Sequence, residues 1–254
     1  MIENSDLARL FKKINVKKSD TVMIHGNLAV VDQKKFNDTK KNINFFFKKL
    51  INYFGNKGTI IIPTFTYSYI KKKIYNLKDT PSEAGMFSEE FRKLKRISRT
   101  VNPIFSVGVV GKNKKLFLKS SYADCFGKNT VFDLLKKLDG KIICLGCDFN
   151  RVTFTHYIEQ MNKVDYRFFK KFNGTIINGK LKKKITTSYY VRKMKKSTEI
   201  DLSKLMKKAL KEKKIYISDF RRFEVISIKA NDFYKIGKNL LRSDPLSLIK
   251  GERI

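Results

Sequence analysis

Short apolar runs recur along the chain, and each one ends at a glycine, a proline or a polar cluster. The runs at residues 21–24, 58–62 and 141–146 are apolar at nearly every position. Such continuity is typical of strands that are covered on both faces. Residues 106–110 and 223–228 predict two further strands. The pattern therefore predicts a sheet buried between other layers.

Segments with helical spacing separate these strands. Apolar residues three and four positions apart predict amphipathic helices at residues 7–14, 47–54, 130–138, 153–161 and 202–210, and a last one from about residue 233. Ser88, with two glutamates after it, predicts the N-cap of one more helix. Two Asn-Gly pairs, Asn173-Gly174 and Asn178-Gly179, bracket short β-rich pieces and predict a hairpin.

Alternating strands and helices with an added hairpin predict the fold class. That class is α/β: a three-layer α/β/α domain with a central mixed sheet and an added β-hairpin region. No internal repeat, low-complexity tract or clear linker interrupts the chain. We therefore expect one domain over residues 1–254.

Composition narrows the class of protein. The chain has 254 residues, of which 42% are hydrophobic and 13% aromatic, and this excludes a disordered basic tail. No apolar run approaches the roughly 18 residues of a membrane span, so no membrane span is expected. Three cysteines give no even set of disulfides. A reducing compartment, and hence the cytoplasm, is the expected location.

The charge is strongly basic, with 56 Lys and Arg residues against 23 Asp and Glu residues and a net charge of +33. Such a charge is typical of nucleic-acid-binding proteins. The excess is lysine spread along the chain, however, whereas nucleic-acid interfaces favour arginine. We therefore interpret the charge as a solvated surface and expect no nucleic-acid partner. A basic nucleic-acid-binding protein is the alternative from another class.

Candidate chemistry lies where the predicted strands end. The stretches at residues 25–28, 63–66 and 147–148 each follow a strand, and ligands of open α/β sheets bind beyond the carboxyl ends of strands. Gly26 permits a close backbone approach. None of these turns matches a known phosphate-binding loop. Taken alone, each turn favours an ordinary connection over a binding role.

Histidine is rare, with two in the whole chain, so each is informative. His156 and Glu159 lie three positions apart on a predicted helix and therefore share a face, opposite an apolar stripe. The spacing places this pair outward, toward solvent or a cleft. One reading is an exposed pair without a role. The other is a general base, His156, that a carboxylate orients near neutral pH.

Other catalytic signatures are missing from the sequence. It contains neither a GxSxG elbow nor an SxxK motif, so direct attack by a substrate group is favoured over a covalent intermediate. Cys144 and Cys147 form a CxxC, but Cys144 lies inside an apolar strand, which favours buried structural cysteines. A second pair of ligands is lacking, and no metal is expected.

These motifs, taken in order, are similar to those of the aminoglycoside 3-N-acetyltransferase family. The similarity runs over nearly the whole chain and is carried by the stretches at residues 25–28, 58–66, 79–86, 99–108, 126–127, 145–148 and 155–159. The resemblance implies acetyl-CoA as donor and co-substrate, and an amine on a sugar as acceptor. His156 and Glu159 match the catalytic HxxE of the family.

The resemblance also implies a mechanism and a set of site residues. His156, supported by Glu159, would deprotonate the acceptor amine in a ternary complex. Backbone N–H groups or the hydroxyl of Thr64 or Thr66 would stabilise the oxyanion, and Thr66 is counted with the catalytic residues. The acetyl-CoA site would comprise His25, Gly26, Asn27, Leu28, Thr64, Phe65, Thr66, Asn102 and Ser106.

Three motifs depart from the family pattern. Gly26 and Asn27 replace two serines of the first motif, which removes two hydroxyl donors. Asn102 stands where the family has histidine before proline. Lys128 and Asn129 follow Gly127 in place of Pro-Gly. These departures affect the contacts to CoA more than the catalytic pair.

Net charge bears on the choice of acceptor. Aminoglycosides are polycations, and a like-charge contact near 4 Å costs about 4 kcal/mol at an effective dielectric constant of 20. Asp148 and Glu83 are the acidic residues expected to contact the acceptor. We therefore expect an amino sugar carried on a nucleotide or another anionic group. The alternatives are an aminoglycoside-modifying resistance enzyme and a family member that binds without catalysis.

Overall fold

A seven-stranded mixed sheet forms the centre of the computed structural model, which describes residues 4–31, 38–194 and 198–250. The strand order is β4-β5-β2-β1-β6-β10-β9. The strands are β1 (Thr21–Gly26), β2 (Thr59–Pro63), β4 (Ser98–Arg99), β5 (Val107–Gly111), β6 (Lys141–Leu145), β9 (Ile215–Phe220) and β10 (Phe223–Lys229).

The three central strands are parallel, and the outer strands are antiparallel to their neighbours. Strand β1 pairs with β2 on one side and with β6 on the other, in both cases in parallel. The carboxyl ends of β1, β2 and β6 therefore lie side by side along one border of the sheet, which we call the strand-end edge. The predicted site stretches after β1, β2 and β6 lie together at this edge, as ligand sites of such sheets commonly do.

Alternate residues of the central strands feed two separate cores. In β1, Val22 and Ile24 point into one core, whereas Met23 points into the other. Ile60 and Ile61 of β2 divide in the same way. Both faces of each strand are buried, which explains why the strands are apolar at consecutive positions.

Helices cover both faces of the sheet. Helices α1 (Asn4–Lys13), α2 (Thr39–Phe54) and α3 (Met86–Lys93) pack on one face. The other face carries α4 (Lys114–Leu118), α5 (Val131–Lys137), α6 (Phe154–Met161), α7 (Ser203–Lys211) and α8 (Ala230–Ser243). The prediction of a three-layer α/β/α fold with a mixed sheet is confirmed.

A second, three-stranded sheet contains the predicted hairpin in a longer form. Its strands are β3 (Tyr75–Asn76), β7 (Arg167–Asn178) and β8 (Leu181–Arg192), in the order β3-β7-β8. The tight turn between the two 12-residue strands is Gly179-Lys180, directly after Asn178, the last residue of β7. The other Asn-Gly pair, Asn173-Gly174, was wrongly taken to bound a short strand. It lies inside β7, where the ring of Tyr69 packs against Gly174.

Two more expectations about elements differ from the structure. Ser88 is buried inside α3 rather than capping it, because the helix already begins at Met86 after Gly85, whose φ is 96°. Strand β9 is an edge strand in which Tyr216 and Ile217 are exposed, so it lacks the apolar run that marked the central strands.

The extent of one domain over the whole chain stays a prediction. No helix among the described residues is long and apolar enough to cross a membrane.

Replacement of Gly174 by alanine should destabilise the fold. A Cβ at this position would lie 2.6 Å from the buried ring of Tyr69, so the ring or the strand must shift. We expect a loss of about 1–3 kcal/mol in the free energy of unfolding, measured by urea denaturation. Lys171→Ala, at an exposed position of the same strand, is the matched control. Equal stability of the two variants would contradict the packing role of Gly174.

Candidate active site

Helix α6 presents the two residues that the sequence singled out. The Nδ1 atom of His156 lies 2.7 Å from Oε2 of Glu159, one turn later in the helix. The side chain of His156 is 22% exposed, whereas that of Glu159 is fully buried. The expectation that both side chains point outward is therefore wrong for Glu159. The hairpin strands β7 and β8 cover the carboxylate.

Arg167, the first residue of β7, completes the cluster and was missed in the sequence. Its Nε atom lies 2.9 Å from Oε2 of Glu159. One terminal nitrogen donates to the carbonyl oxygen of Tyr190 at 3.0 Å, and the other lies 2.9 Å from Nδ1 of His156. The guanidinium is buried, so it supplies the positive charge that a buried carboxylate requires.

The contacts of His156 define its tautomer. Nδ1 cannot both donate to Glu159 and accept from Arg167. A hydrogen bond to an ionised carboxylate is stronger than one to a neutral ring nitrogen. We therefore assign the proton to Nδ1, facing Glu159. Nε2 then keeps its lone pair and has no hydrogen-bond partner among the described residues.

Burial and charge act together on the two titrating groups. Burial and the charge of Arg167 lower the pKa of His156, while Glu159 opposes this shift and Arg192 adds to it. Burial alone would raise the pKa of Glu159, but its contacts with His156 and Arg167 outweigh burial and lower the pKa. At neutral pH the pair is therefore a neutral imidazole on a carboxylate. This is the protonation state that a general base requires.

His156 lines a cleft of about 970 Å³ between the hairpin and the segment after β6. Its ring also meets the ring of Phe126 edge to face, with centroids 5.4 Å apart. Among the described residues, the cleft lining carries five cationic side chains and two carboxylates. The cations are Arg151, Arg167, Lys170, Arg192 and Lys250, and the carboxylates are Asp148 and Glu199.

The two acidic residues expected at the acceptor lie in different places. Asp148 lines the cleft, but its side chain also accepts from the backbone N–H of Asn150 at 2.9 Å and caps a short 3-10 helix. Glu83 does not appear among the residues that line the cleft, and it forms an ion pair with Lys71. The structure thus brings one of these two carboxylates to His156.

The hydroxyl side chains after β2 are engaged inside the protein. Thr64, Thr66 and Ser106 are all fully buried. The hydroxyl of Thr66 donates to the carbonyl oxygen of Pro103 at 2.7 Å and accepts from the hydroxyl of Ser68 at 2.9 Å. Its hydrogen is therefore not available to an oxyanion in this arrangement. This geometry departs from the catalytic role expected for Thr66.

A buried arginine holds the same turn in place. Nε of Arg99 donates to the hydroxyls of Thr64 and Ser106, at 3.2 and 3.1 Å. The hydroxyl of Ser106 donates in turn to the carbonyl oxygen of Thr64 at 2.7 Å. Thr64 and Ser106 therefore shape the turn through buried hydrogen bonds.

The residues after β1 form the exposed part of the strand-end edge. Asn27 is exposed and caps a 3-10 helix, Leu28–Val30, by accepting from the backbone N–H of Ala29 at 3.0 Å. Gly26 packs on Phe87, whose ring would lie 2.4 Å from a Cβ at this position. The absence of the family's serine at Gly26 thus has a packing reason.

His25 presents a buried nitrogen that the described residues leave without a partner. Its Nε2 has no hydrogen bond, and burial lowers the pKa of the ring to about 4. An unsatisfied buried nitrogen at the strand-end edge is a group that a bound molecule can satisfy. On this observation, the residues after β1 fit a binding role.

Two further residues of the expected CoA site, Asn102 and Phe65, make contacts that stabilise the surrounding structure. Asn102 accepts from the backbone N–H groups of Ile104 and Phe105, at 3.0 and 2.8 Å, and so stabilises a turn. Phe65 is buried against the ring of Phe105, with centroids 5.0 Å apart. Both residues therefore stabilise segments next to the strand-end edge.

The cysteines and the metal question can be treated together. All three cysteines are free thiols, and Cys144 is buried inside β6. The thiol of Cys147 donates to the carbonyl oxygen of His25 at 3.2 Å. In the described part of the chain, no group of three His, Cys, Asp or Glu residues could hold a metal ion.

Comparison with known proteins places the chain in a family. A family model described as aminoglycoside 3-N-acetyltransferase matches residues 23–242. The chain belongs to the aminoglycoside 3-N-acetyltransferase family. As a member of this family, it is a CoA-dependent N-acetyltransferase with acetyl-CoA as co-substrate.

Solved structures share the fold of this family member at low sequence identity. AAC-IIIb in a binary complex with CoASH is 13% identical, with a TM-score of 0.79, and the comparison covers 95% of this chain and 97% of that one. AAC(3)-Xa is 14% identical, with a TM-score of 0.78 and coverage of 95% and 93%. The YokD protein from Bacillus subtilis is 16% identical, with a TM-score of 0.76 and coverage of 95% and 94%. A comparison with curated proteins gave no match.

The buried pair in this N-acetyltransferase should dominate local stability. Arg167→Met leaves the carboxylate of Glu159 buried without its arginine, so we expect a loss of about 3–5 kcal/mol in urea denaturation at pH 7. The double variant Glu159→Gln with Arg167→Met removes both charges and should recover part of that loss. A double variant no more stable than Arg167→Met would contradict the pairing.

Proposed function

We propose that the enzyme transfers the acetyl group of acetyl-CoA to an amine of a sugar that carries an anionic group, with His156 as general base. One observation carries this proposal. The imidazole of His156, hydrogen-bonded to the buried Glu159, opens onto a cleft in which cationic side chains outnumber carboxylates. The hydrogen-bonded imidazole suits proton abstraction, and the excess of cationic side chains in the cleft suits an anionic acceptor.

His156 performs the proton transfer. The nitrogen of the acceptor amine attacks the acetyl carbon, and Nε2 of His156 takes the proton from this nitrogen as the C–N bond forms. The C–S bond breaks, and the leaving sulfur takes that proton from the imidazolium of His156 and becomes the thiol of CoA. Acetyl-CoA supplies the acetyl group in the activated form of a thioester. A neutral imidazole at neutral pH is ready for this step, because the pKa of His156 is lowered.

Glu159 and Arg167 act through His156 rather than on the substrate. Glu159 fixes the ring orientation and keeps the proton on Nδ1, and it stabilises the imidazolium that forms during transfer. Arg167 keeps Glu159 ionised inside the protein. Both are therefore positioning residues.

Acetyl-CoA is assigned to the strand-end edge. His25 supplies an unsatisfied nitrogen there, and Asn27 is exposed between the partly exposed Gly26 and Leu28. The buried residues of the expected set support this edge from below: Thr64, Phe65, Asn102 and Ser106. Because the hydroxyl of Thr66 is engaged by Pro103, backbone N–H groups are the preferred oxyanion donors.

The charge of the cleft favours an anionic acceptor over a polycation. The hairpin strands that wall the cleft span residues 167–192, which contain eight Lys and Arg residues and no Asp or Glu. Of the two carboxylates in the lining, Glu199 is paired with Lys250 at 2.6 Å. A polycationic aminoglycoside would therefore meet uncompensated like charge.

The three free thiols fit a reducing compartment, and we assign the enzyme to the cytoplasm.

An aminoglycoside antibiotic as acceptor is the second candidate. The observation in its favour is the family itself, since one solved relative of the same fold is AAC-VIa bound to sisomicin. Asp148 in the cleft is the carboxylate that would contact such an amine. The two candidates differ in the charge of the acceptor, which an experiment can vary directly.

Turnover of matched acceptors tests the proposal. A nucleotide-linked amino sugar, the corresponding neutral amino sugar and a kanamycin-like polycation are each supplied with acetyl-CoA. We expect the highest kcat/KM with the anionic acceptor and a decline of that kcat/KM with added salt, because salt screens the attraction. Preferential turnover of the polycation would overturn the anionic assignment.

His156→Ala serves as the control for the proposed base in the same assay. We expect kcat to fall about 10²–10⁴-fold, while acetyl-CoA still raises the melting temperature of the variant. Unchanged turnover would exclude His156 as the base. Absence of turnover in the wild-type protein, with acetyl-CoA still raising the melting temperature of both proteins, would point to a family member that binds without catalysis.

A further inference from the structure

Two arginines face each other at the open end of the hairpin. Arg167 and Arg192 are directly paired across β7 and β8. Like charges in this position destabilise a hairpin unless something neutralises them. Glu159 neutralises Arg167. Arg192 donates to the carbonyl oxygen of Thr198 at 3.2 Å and has no ion pair within the described ranges.

A second cation without a carboxylate partner lines the same cleft. Arg151 closes the 3-10 helix after β6, is exposed, and has no ion pair in the part of the chain that the structure describes. Arg151 and Arg192 thus come from separate elements and border one cleft. Guanidinium groups offer planar, paired donors that match the oxygens of a phosphate.

Aromatic side chains line the same cleft from the face of the hairpin opposite Arg167 and Arg192. Residues two apart in a strand share a face, and Phe168, Lys170 and Phe172 all line the cleft. The ammonium of Lys170 lies over the ring of Phe172, 5.4 Å from its centroid. Phe168 is 47% exposed, so its ring is accessible from the cleft. An accessible aromatic ring among cations is a typical platform for a nucleobase.

We propose that Arg151 and Arg192 bind the diphosphate of a nucleoside diphosphate amino sugar, and that its base stacks on Phe168. This assignment rests on the proposed function, because it uses the same cleft and the same base, His156. It adds the chemical class of the anion and the residues that select it. The amine of the sugar then lies toward His156, while the nucleotide lies along the arginines and the hairpin.

Removing one arginine should weaken the binding of this acceptor selectively. A hydrogen bond to a charged group is worth about 1.5–3 kcal/mol, and 1.4 kcal/mol is tenfold in affinity. Arg192→Gln and Arg151→Gln should each raise the KM of a uridine diphosphate amino sugar about tenfold or more. The KM of acetyl-CoA should stay within about twofold of the wild-type value. Lys184→Gln, which removes a charge from the same strand outside the cleft, should change neither KM.

Variants at two adjacent phenylalanines, Phe168 and Phe169, distinguish recognition of the nucleobase from recognition of the phosphate. Phe168 faces the cleft, whereas the adjacent Phe169 packs on Tyr190 with ring centroids 4.7 Å apart. Phe168→Ala should raise the KM of the uridine diphosphate amino sugar and leave that of an amino sugar 1-phosphate unchanged. Phe169→Ala is the control and should show no such difference. Equal effects of Phe168→Ala on both acceptors would overturn the stacking.

Uridine diphosphate carries no amine that the enzyme could acetylate, so inhibition by this compound reports binding alone. Uridine diphosphate should compete with the acceptor and not with acetyl-CoA, and Arg192→Gln should weaken the inhibition. Failure of this inference is distinguishable from failure of the proposed function. An enzyme that acetylates an amino sugar 1-phosphate and a nucleotide-linked amino sugar equally, and both better than the neutral amino sugar, without any effect of Arg192→Gln, overturns the inference alone. An enzyme that acetylates no amino sugar overturns both.

Discussion

The buried carboxylate of Glu159 is the group on which the rest of the site depends. An isolated carboxylate loses several kcal/mol of solvation when it leaves water, so it must be compensated inside the protein. Helix α6 supplies one partner, His156, and the first residue of β7 supplies the other, Arg167. The hairpin therefore has to dock against α6 for the carboxylate to stay ionised. Docking of the hairpin also creates the wall of the cleft.

That docking has an electrostatic consequence. A hairpin strand that begins with an arginine, and that carries further cations without acidic residues, brings a positive field to the mouth of the site. Burial, together with the charges of Arg167 and Arg192, lowers the pKa of His156 and so favours its neutral form. In the proposed function, base chemistry and selection of an anion both depend on this arrangement of charges. On that proposal, the fold of an aminoglycoside 3-N-acetyltransferase hosts an acceptor of opposite charge through the residues of this wall.

The central strands and the contact between His156 and Glu159 could be predicted from the sequence, because both are local signals. Continuous apolar runs identified β1, β2 and β6, and a spacing of three residues placed His156 beside Glu159. Strand β9 escaped because an edge strand with exposed Tyr216 and Ile217 lacks that continuity. Arg167 escaped because its contact with Glu159 depends on how the hairpin folds over the helix. The engagement of Thr66 by Pro103 joins residues 37 positions apart and leaves no mark in the local pattern.

The account depends on the protonation state of His156, which magnetic resonance can measure directly. The chain contains two histidines, so ¹⁵N-labelled imidazoles give two sets of signals, and a variant at His25 assigns them. Because burial and Arg167 lower the pKa of His156, its ring should be neutral at pH 7 and titrate below the ordinary value of 6.5. The neutral ring should carry its proton on Nδ1. A ring that is cationic at pH 7, or a neutral ring protonated on Nε2, would contradict the account.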